Sequence, residues 1–360
     1  MAISPSNDRP YIEINGRRIG SGYPAYIVAE MSANHNHSYD QAVELVHAAK
    51  RAGADAVKLQ TYTADGITLD SDEPSFQIPD GNTWGGRTLH DLYGEAHTPW
   101  DWQPHLKALA DELKLDLFSS PFDHSAVDFL EDMGVPAYKV ASFEIVDIPL
   151  IQHIASKGKP MIMSTGMATL PEIDEAVQAA RDSGAEQIML LKCTSSYPAP
   201  PEEMDLASIS HLSQTFGVPT GLSDHTLGIA VPLGGVALGA ALVEKHFTLS
   251  RSVPGPDSAF SVEPDELQAL VEGVRTVEKA MGRVNYSVTP REEGNRIFRR
   301  SLFVTAEMKE GELFTKENVR SIRPAYGLKP RYLPDLLGKR AARDIKRGTP
   351  LSWDLIAGGS

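Results

Sequence analysis

Eight short apolar runs, each separated from the next by a helical pattern, constrain the fold more than any other feature. They are YIVAEMS (26–32), AVKLQTY (56–62), DLFSSPF (116–122), AYKVASF (137–143), PMIMSTG (160–166), QIMLLKCT (187–194), PTGLSDHT (219–226) and LVEKHFTL (242–249). Between them, segments such as YDQAVELVHAAKRAG and LPEIDEAVQAARDSG carry apolar residues three and four apart, the helical period. Strands alternating with helices require crossover connections and therefore a parallel sheet. Eight strands and a further helix at PDELQALVEGVRTVEKAM predict a closed (β/α)8 barrel, the TIM architecture. An open doubly wound sheet is the competing fold, but no GxGxxG turn follows the first run. Ahead of the barrel, YIEINGRRIGSG sets an Asn-Gly turn between two short runs, which predicts a hairpin over the barrel's bottom.

The pattern changes near residue 285. NYSVTPREEGNRIFRRS is polar and reads as a linker or extended arm. Beyond it, EMKEGELFTKENV (307–319) matches DIKRGTPLSWDLI (344–356) position by position, too short an array for a solenoid. The reading is a barrel domain over 1–284, a linker over 285–298, and a small β-rich domain over 299–360 built of two equivalent halves.

Composition narrows the partners. A formal charge of −14 argues against nucleic acid, because binding phosphates requires basic surface. No apolar run approaches the length of a membrane span, and the start MAISPSNDRPYIEING lacks the features of a signal peptide. The single cysteine, Cys193, allows no internal disulfide, so a cytoplasmic location is expected.

A (β/α)8 barrel places its active site at the C-terminal ends of its strands. Those ends carry the chain's unusual polar residues. The first holds Glu30 and leads to Ser32, Asn34 and His35; the second holds Lys58 and Gln60; the third Ser119 and Ser120; the fourth Lys139, Ser142 and Glu144. Ser164 and Thr165, then Thr194, Ser195 and Tyr197, then Ser223, Asp224 and His225, and finally Glu244, Lys245 and His246 complete the circle. Any one of these is more often structural than functional. All eight ends being polar together is not explained by packing. Two lysines among hydroxyls describe a phosphate pocket. His225 and His246, on neighbouring strands beside Asp224 and Glu244, suit a divalent ion with an open shell, and Glu30 and Glu144 then become candidates for proton transfer.

In order along the chain, AEMSANHNHS, AVKLQTY, FSSPFD, YKVASFE, MSTGMA, CTSSYPAP, GLSDHT, EKHFTL and PGPDSAFS resemble the sialic-acid synthase family. The tail, with RRSLFV and IRPAYGL, resembles that family's antifreeze-like (SAF) domain. The resemblance implies a transferase that condenses phosphoenolpyruvate with an N-acetylated amino sugar, giving a nine-carbon 2-keto acid and phosphate. It implies a divalent metal (Mn2+, Mg2+ or Co2+) on His225 and His246. It implies a phosphoenolpyruvate pocket of Lys58, Ser120, Lys139, Ser142, Ser164 and Ser223, with Ser195 where the family tends to carry asparagine. Tyr197 matches a sugar contact, and Glu30, Glu144, Glu244 and Asp257 match acidic site positions. Arg323 matches an arginine inserted into the partner's barrel, which implies a domain-swapped homodimer.

Two stretches bear on the sugar. Sialic-acid synthases tend to read EIGxNHxG after the first strand, where this chain reads EMSANHNHS. The segment WGGRTLHDLYGEAHTPWDW (84–102), between the second and third strands, resembles the family's pseudaminic acid synthases. It implies preference for 2,4-diacetamido-2,4,6-trideoxy-L-altrose, with N-acetylneuraminate or legionaminate synthesis as the alternative. Outside the family, a Schiff-base aldolase using Lys58 or Lys139 and a non-catalytic sugar- or ice-binding protein are the rival readings.

Overall fold

A computed structural model describes residues 10–81 and 84–358; the first nine residues, weighed above as a leader, lie outside the described residues. The chain divides into two compact units, Met1–Gly282 and Arg283–Ser360.

The first unit opens with an antiparallel hairpin, β1 (Tyr11–Ile14) and β2 (Arg17–Gly20). Asn15 and Gly16 both take positive φ, as a two-residue hairpin turn requires. The hairpin buries Ile12, Ile14 and Ile19, and Asn15 donates to Asp116 at the start of a barrel strand, so it closes the end opposite the strand C-termini.

Eight parallel strands follow: β3 (Tyr26–Glu30), β4 (Ala56–Thr61), β5 (Asp116–Pro121), β6 (Tyr138–Val140), β7 (Met161–Ser164), β8 (Ile188–Cys193), β9 (Thr220–Asp224) and β10 (Leu242–His246). They pair in sequence order, and β10 returns to β3, closing the predicted barrel. The helices show why the pattern was readable. Over Tyr39–Ala52, Ala42, Leu45, Val46 and Ala49 are buried, one stripe at helical spacing. Ser38 accepts from the Gln41 N–H at its start, and Gly53 at φ 87° ends it.

In the second unit β11 (Ser301–Val304) pairs antiparallel with β12 (Val319–Ile322). The two similar segments bond reciprocally: the Met308 N–H donates to the Ile345 carbonyl and the Ile345 N–H to the Met308 carbonyl, both at 2.9 Å. Gly311 and Gly348, equivalent in the two segments, share a left-handed conformation at φ 80° and 87°. Equivalent residues Phe314 and Leu351 both enter the unit's core.

Candidate active site

Parallel register decides which side chains meet. Glu30 stands opposite Lys58 on one side and His246 on the other, and Gln60 stands opposite Ser120. Side chains two apart share a face, so Lys58 and Gln60, and likewise Glu244 and His246, lie on the same side of the sheet. The Lys58 ammonium lies 2.6 Å from Glu244 Oε1 and 3.1 Å from Glu30 Oε2, with all three residues buried. Lys139 Nζ is 4.0 Å from Glu244 Oε1, and Ser223 donates to the same oxygen at 3.2 Å. The strand ends therefore hold two buried lysines against two buried glutamates.

This balance sets the protonation states. Burial alone would lower Lys58, but Glu244 and Glu30 more than reverse that and hold its pKa above the ordinary lysine value. Lys139 has less acidic support, and burial brings it down to about 8. Burial pushes Glu30 above the usual carboxylate range despite Lys58, whereas the two lysines outweigh burial and hold Glu244 below it. Burial also lifts Glu144 to about 7, against the pull of Lys139.

By register, the barrel face that carries the lysines also carries serine hydroxyls. The Ser120 and Ser164 hydroxyls are sealed from solvent without a hydrogen-bond partner, as are Glu144 Oε2 and Glu244 Oε2. Ser142 accepts from the Gly166 N–H at 3.2 Å. Gly166 must be glycine, because a Cβ there would collide with the Ser142 and Ser195 hydroxyls.

Next to this set lie the histidines, their rings 5.3 Å apart. Residue His225 directs Nδ1 to the Thr194 carbonyl at 2.9 Å, which leaves Nε2 as the lone-pair nitrogen. His246 Nδ1 is buried, has no hydrogen-bond partner, and lies 3.8 Å from Asp257 Oδ2. Two imidazoles with unshared lone pairs beside carboxylates form a donor set that fits a divalent ion completed by substrate or solvent oxygens. Among the described residues no group of three or more His, Cys, Asp or Glu side chains is gathered as a metal cluster.

The Tyr197 ring lies 4.4 Å from the His225 ring, tilted by 43°, and Trp84, from the segment 84–102, lies 5.5 Å from Tyr197. The Trp84 indole N–H donates to the Pro256 carbonyl at 2.9 Å, tying that segment to the loop that carries Asp257.

Many of the predicted strand-end residues thus meet in the barrel, but Ser119 bonds Thr61, His35 bonds Thr98, Asn34 bonds the Phe247 carbonyl and Thr194 the Glu203 carbonyl, away from the cluster. Arg323 does not belong to that set; it is exposed in the second unit, immediately after β12. One reading is corrected. Asp224 does not join the histidines: its Oδ2 accepts from Lys245 at 2.6 Å and its Oδ1 from the Thr226 N–H, on the face away from Ser223. Lys245 is correspondingly engaged by Asp224 and the Thr226 carbonyl, apart from Lys58 and Lys139. Gln60 and Ser32, given no role from sequence, are linked to Glu30 and Asp257; the two-residue spacing from Lys58 to Gln60 was the signal for the former. A surface cleft of about 540 Å³ at Asn36, Glu95 and Pro254 shares no residue with this cluster.

A family model described as the NeuB family matches residues 45–286, and one for the SAF domain matches 299–357. The chain belongs to the NeuB family. A pseudaminic acid synthase of Helicobacter pylori is 44% identical over 334 residues, covering 92% of this chain and 98% of the relative. An N,N'-diacetyllegionaminic acid synthase of Legionella pneumophila is 36% identical, covering 96% and 98%. Among solved structures, an N-acetylneuraminic acid synthetase of Leptospira borgpetersenii in complex with citrate superposes with a TM-score of 0.71 at 30% identity, covering 79% of this chain and 94% of that one. The fold expectation, a closed eight-stranded barrel followed by a SAF domain, holds for this NeuB-family chain.

Proposed function

We propose that this NeuB-family enzyme condenses phosphoenolpyruvate with 2,4-diacetamido-2,4,6-trideoxy-L-altrose and water, giving pseudaminic acid and phosphate. The observation that carries the chemistry is the pairing of two buried lysines and unpartnered serine hydroxyls with two adjacent histidines. That set suits an anionic co-substrate beside a carbonyl that needs polarising.

Lys58, Lys139, Ser120, Ser142, Ser164 and Ser223 would bind the phosphate and carboxylate, with Ser195 at the edge. His225 and His246 would hold the divalent ion, Mn2+, Mg2+ or Co2+, which supplies polarisation of the sugar's aldehyde oxygen. C3 of phosphoenolpyruvate attacks the aldehyde carbon, whose oxygen becomes a hydroxyl. Water adds at C2 with loss of a proton. The tetrahedral intermediate then expels phosphate by C–O cleavage as its C2 hydroxyl becomes the ketone. Glu30 and Glu144, both held above the ordinary carboxylate range by burial, would accept and return those protons near neutrality. The lysines stabilise the departing phosphate charge.

The choice of sugar rests on the segment 84–102 and on greater identity to the pseudaminic acid synthase than to the legionaminic acid synthase. Trp84 presents an aromatic surface beside Tyr197. A sugar C6 methyl buried there gains about 1 kcal/mol, while a C6 hydroxyl without a partner loses about 1–3 kcal/mol. Competing the trideoxy sugar against N-acetylmannosamine under limiting enzyme, with products identified by mass spectrometry, tests this. The nine-carbon product of the trideoxy sugar should dominate; an excess of N-acetylneuraminic acid refutes the assignment.

The low pKa of Lys139, about 8, is also what a Schiff-base amine needs. Borohydride trapping with indifference to chelators would decide for that aldolase reading. We further infer a domain-swapped homodimer acting in the cytoplasm. Arg323 is exposed, and Val284, Tyr286 and Phe298 on the arm between barrel and SAF domain present apolar surface. Cys193 is a buried free thiol, suited to a reducing compartment. No helix among the described residues is long and apolar enough to cross a membrane.

A further inference from the structure

Ser32 follows the first barrel strand in a conformation that serine avoids. Its φ is 45°, in the left-handed region where glycine is at ease and an L side chain is strained. The residue is buried, and its side chain explains why the backbone stays there. The Ser32 hydroxyl donates to Asp257 Oδ2 and accepts from Gln60 Nε2 at 3.0 Å. The same Gln60 nitrogen donates to Glu30 Oε1 at 3.0 Å, so both hydrogens of the amide are committed within the protein. Backbone strain held by a buried polar network marks a position kept for function.

We propose that Ser32 is the positioning residue of the sugar subsite, fixing Asp257 and Gln60 as a pair of hydrogen-bond acceptors for the N–H and O–H groups of the amino sugar. This rests on the condensation proposed above. With its amide nitrogen engaged, Gln60 can address a substrate only through its carbonyl oxygen. With Oδ2 taken by Ser32, and with the Ala33 N–H 3.4 Å from that same atom, Asp257 has Oδ1 left for the ligand. Two acceptors and no donor select a ligand rich in donors, as a diacetamido sugar is. Phosphoenolpyruvate carries only acceptors at neutral pH and is not read by this pair. Glycine at this position, as in the EIGxNHxG pattern, would relax the backbone but leave Asp257 and Gln60 to reorient.

The test is steady-state kinetics of wild type, Ser32→Gly and Ser32→Ala, following phosphate release, with melting temperatures measured alongside. Ser32→Gly should raise the KM for the sugar on the order of tenfold, the effect of one lost hydrogen-bonding partner, and change the KM for phosphoenolpyruvate by less than about twofold. Its melting temperature should equal or exceed that of wild type, because the strain is gone. Ser32→Ala keeps the strain, so it should show the same loss of sugar affinity with a lower melting temperature. Unchanged sugar KM in Ser32→Gly, or an equal rise in both KM values, overturns the role of Ser32 and leaves the condensation standing. Wild-type enzyme that releases no phosphate with any amino sugar overturns both.

Discussion

Glu144→Gln should make the protein more stable, and increasingly so as the pH rises. Glu144 sits after β6 with Oε2 sealed from solvent and unpartnered, and burial carries its pKa from 4.5 to about 7 in spite of Lys139. A carboxyl whose folded pKa is raised leaves stability intact below the unfolded value and erodes it as pH climbs through the folded value. Above both values the full cost is about 3 kcal/mol at roughly 1.4 kcal/mol per pH unit. The residue retains some solvent contact, so screening brings the change between pH 5 and 8.5 to about 2 kcal/mol. Glutamine is neutral throughout. Groups that titrate alike in both proteins cancel in the difference between them. For a unit of this size 1 kcal/mol corresponds to about 2 °C, so the melting-temperature advantage of the variant should grow by about 4 °C over that range. The assay is thermal unfolding of both proteins in a buffer series without substrates. A difference that stays flat with pH, or that shrinks as pH rises, refutes the claim that burial dominates at Glu144. The same substitution should cut turnover with phosphoenolpyruvate and sugar if Glu144 carries protons as proposed.

Two further outcomes are expected. The His225→Ala/His246→Ala double variant should lose Mn2+ binding by calorimetry and all chelator-reversible activity while melting as a folded protein; full activity without bound metal would show the pair to be structural. Arg323→Ala mixed with Glu30→Gln should regain activity through hybrid dimers if each active site draws on both chains, and no recovery after verified subunit exchange excludes a shared site.

The barrel was legible because its signal is local and repeated. Each strand is a short apolar run, each helix a stripe at three and four, and caps such as Ser38 and Gly53 mark the ends. The run at 137–143 reads longer than β6, which covers only Tyr138–Val140, because Ser142–Glu144 turn into a 3-10 helix that carries Glu144 inward. Which strand-end residues share a face was less legible. Asp224 and Lys245 look like pocket residues in a list, yet each lies one residue from its neighbour's face, and together they form a buried pair at 2.6 Å outside the cluster. Ser32 was the least legible. Its importance lies in a partner 225 positions away and in a backbone angle that no composition reveals.

The cluster also resolves a conflict posed by the chain's charge. A protein at −14 repels an anionic substrate, and two unbalanced buried lysines would deprotonate or unfold their surroundings. Glu30 and Glu244 remove the second problem by holding Lys58 protonated when no substrate is bound. They do so unequally: Glu244 stays ionised against Lys58, while Glu30 is pushed toward its neutral form. The site is therefore close to neutral and able to change by one proton at either Glu30 or Lys139. An arriving phosphate would favour the ammonium form of Lys139, now near 8, and the neutral form of Glu30. Anion binding at the proposed pocket would therefore be coupled to proton uptake by these four side chains.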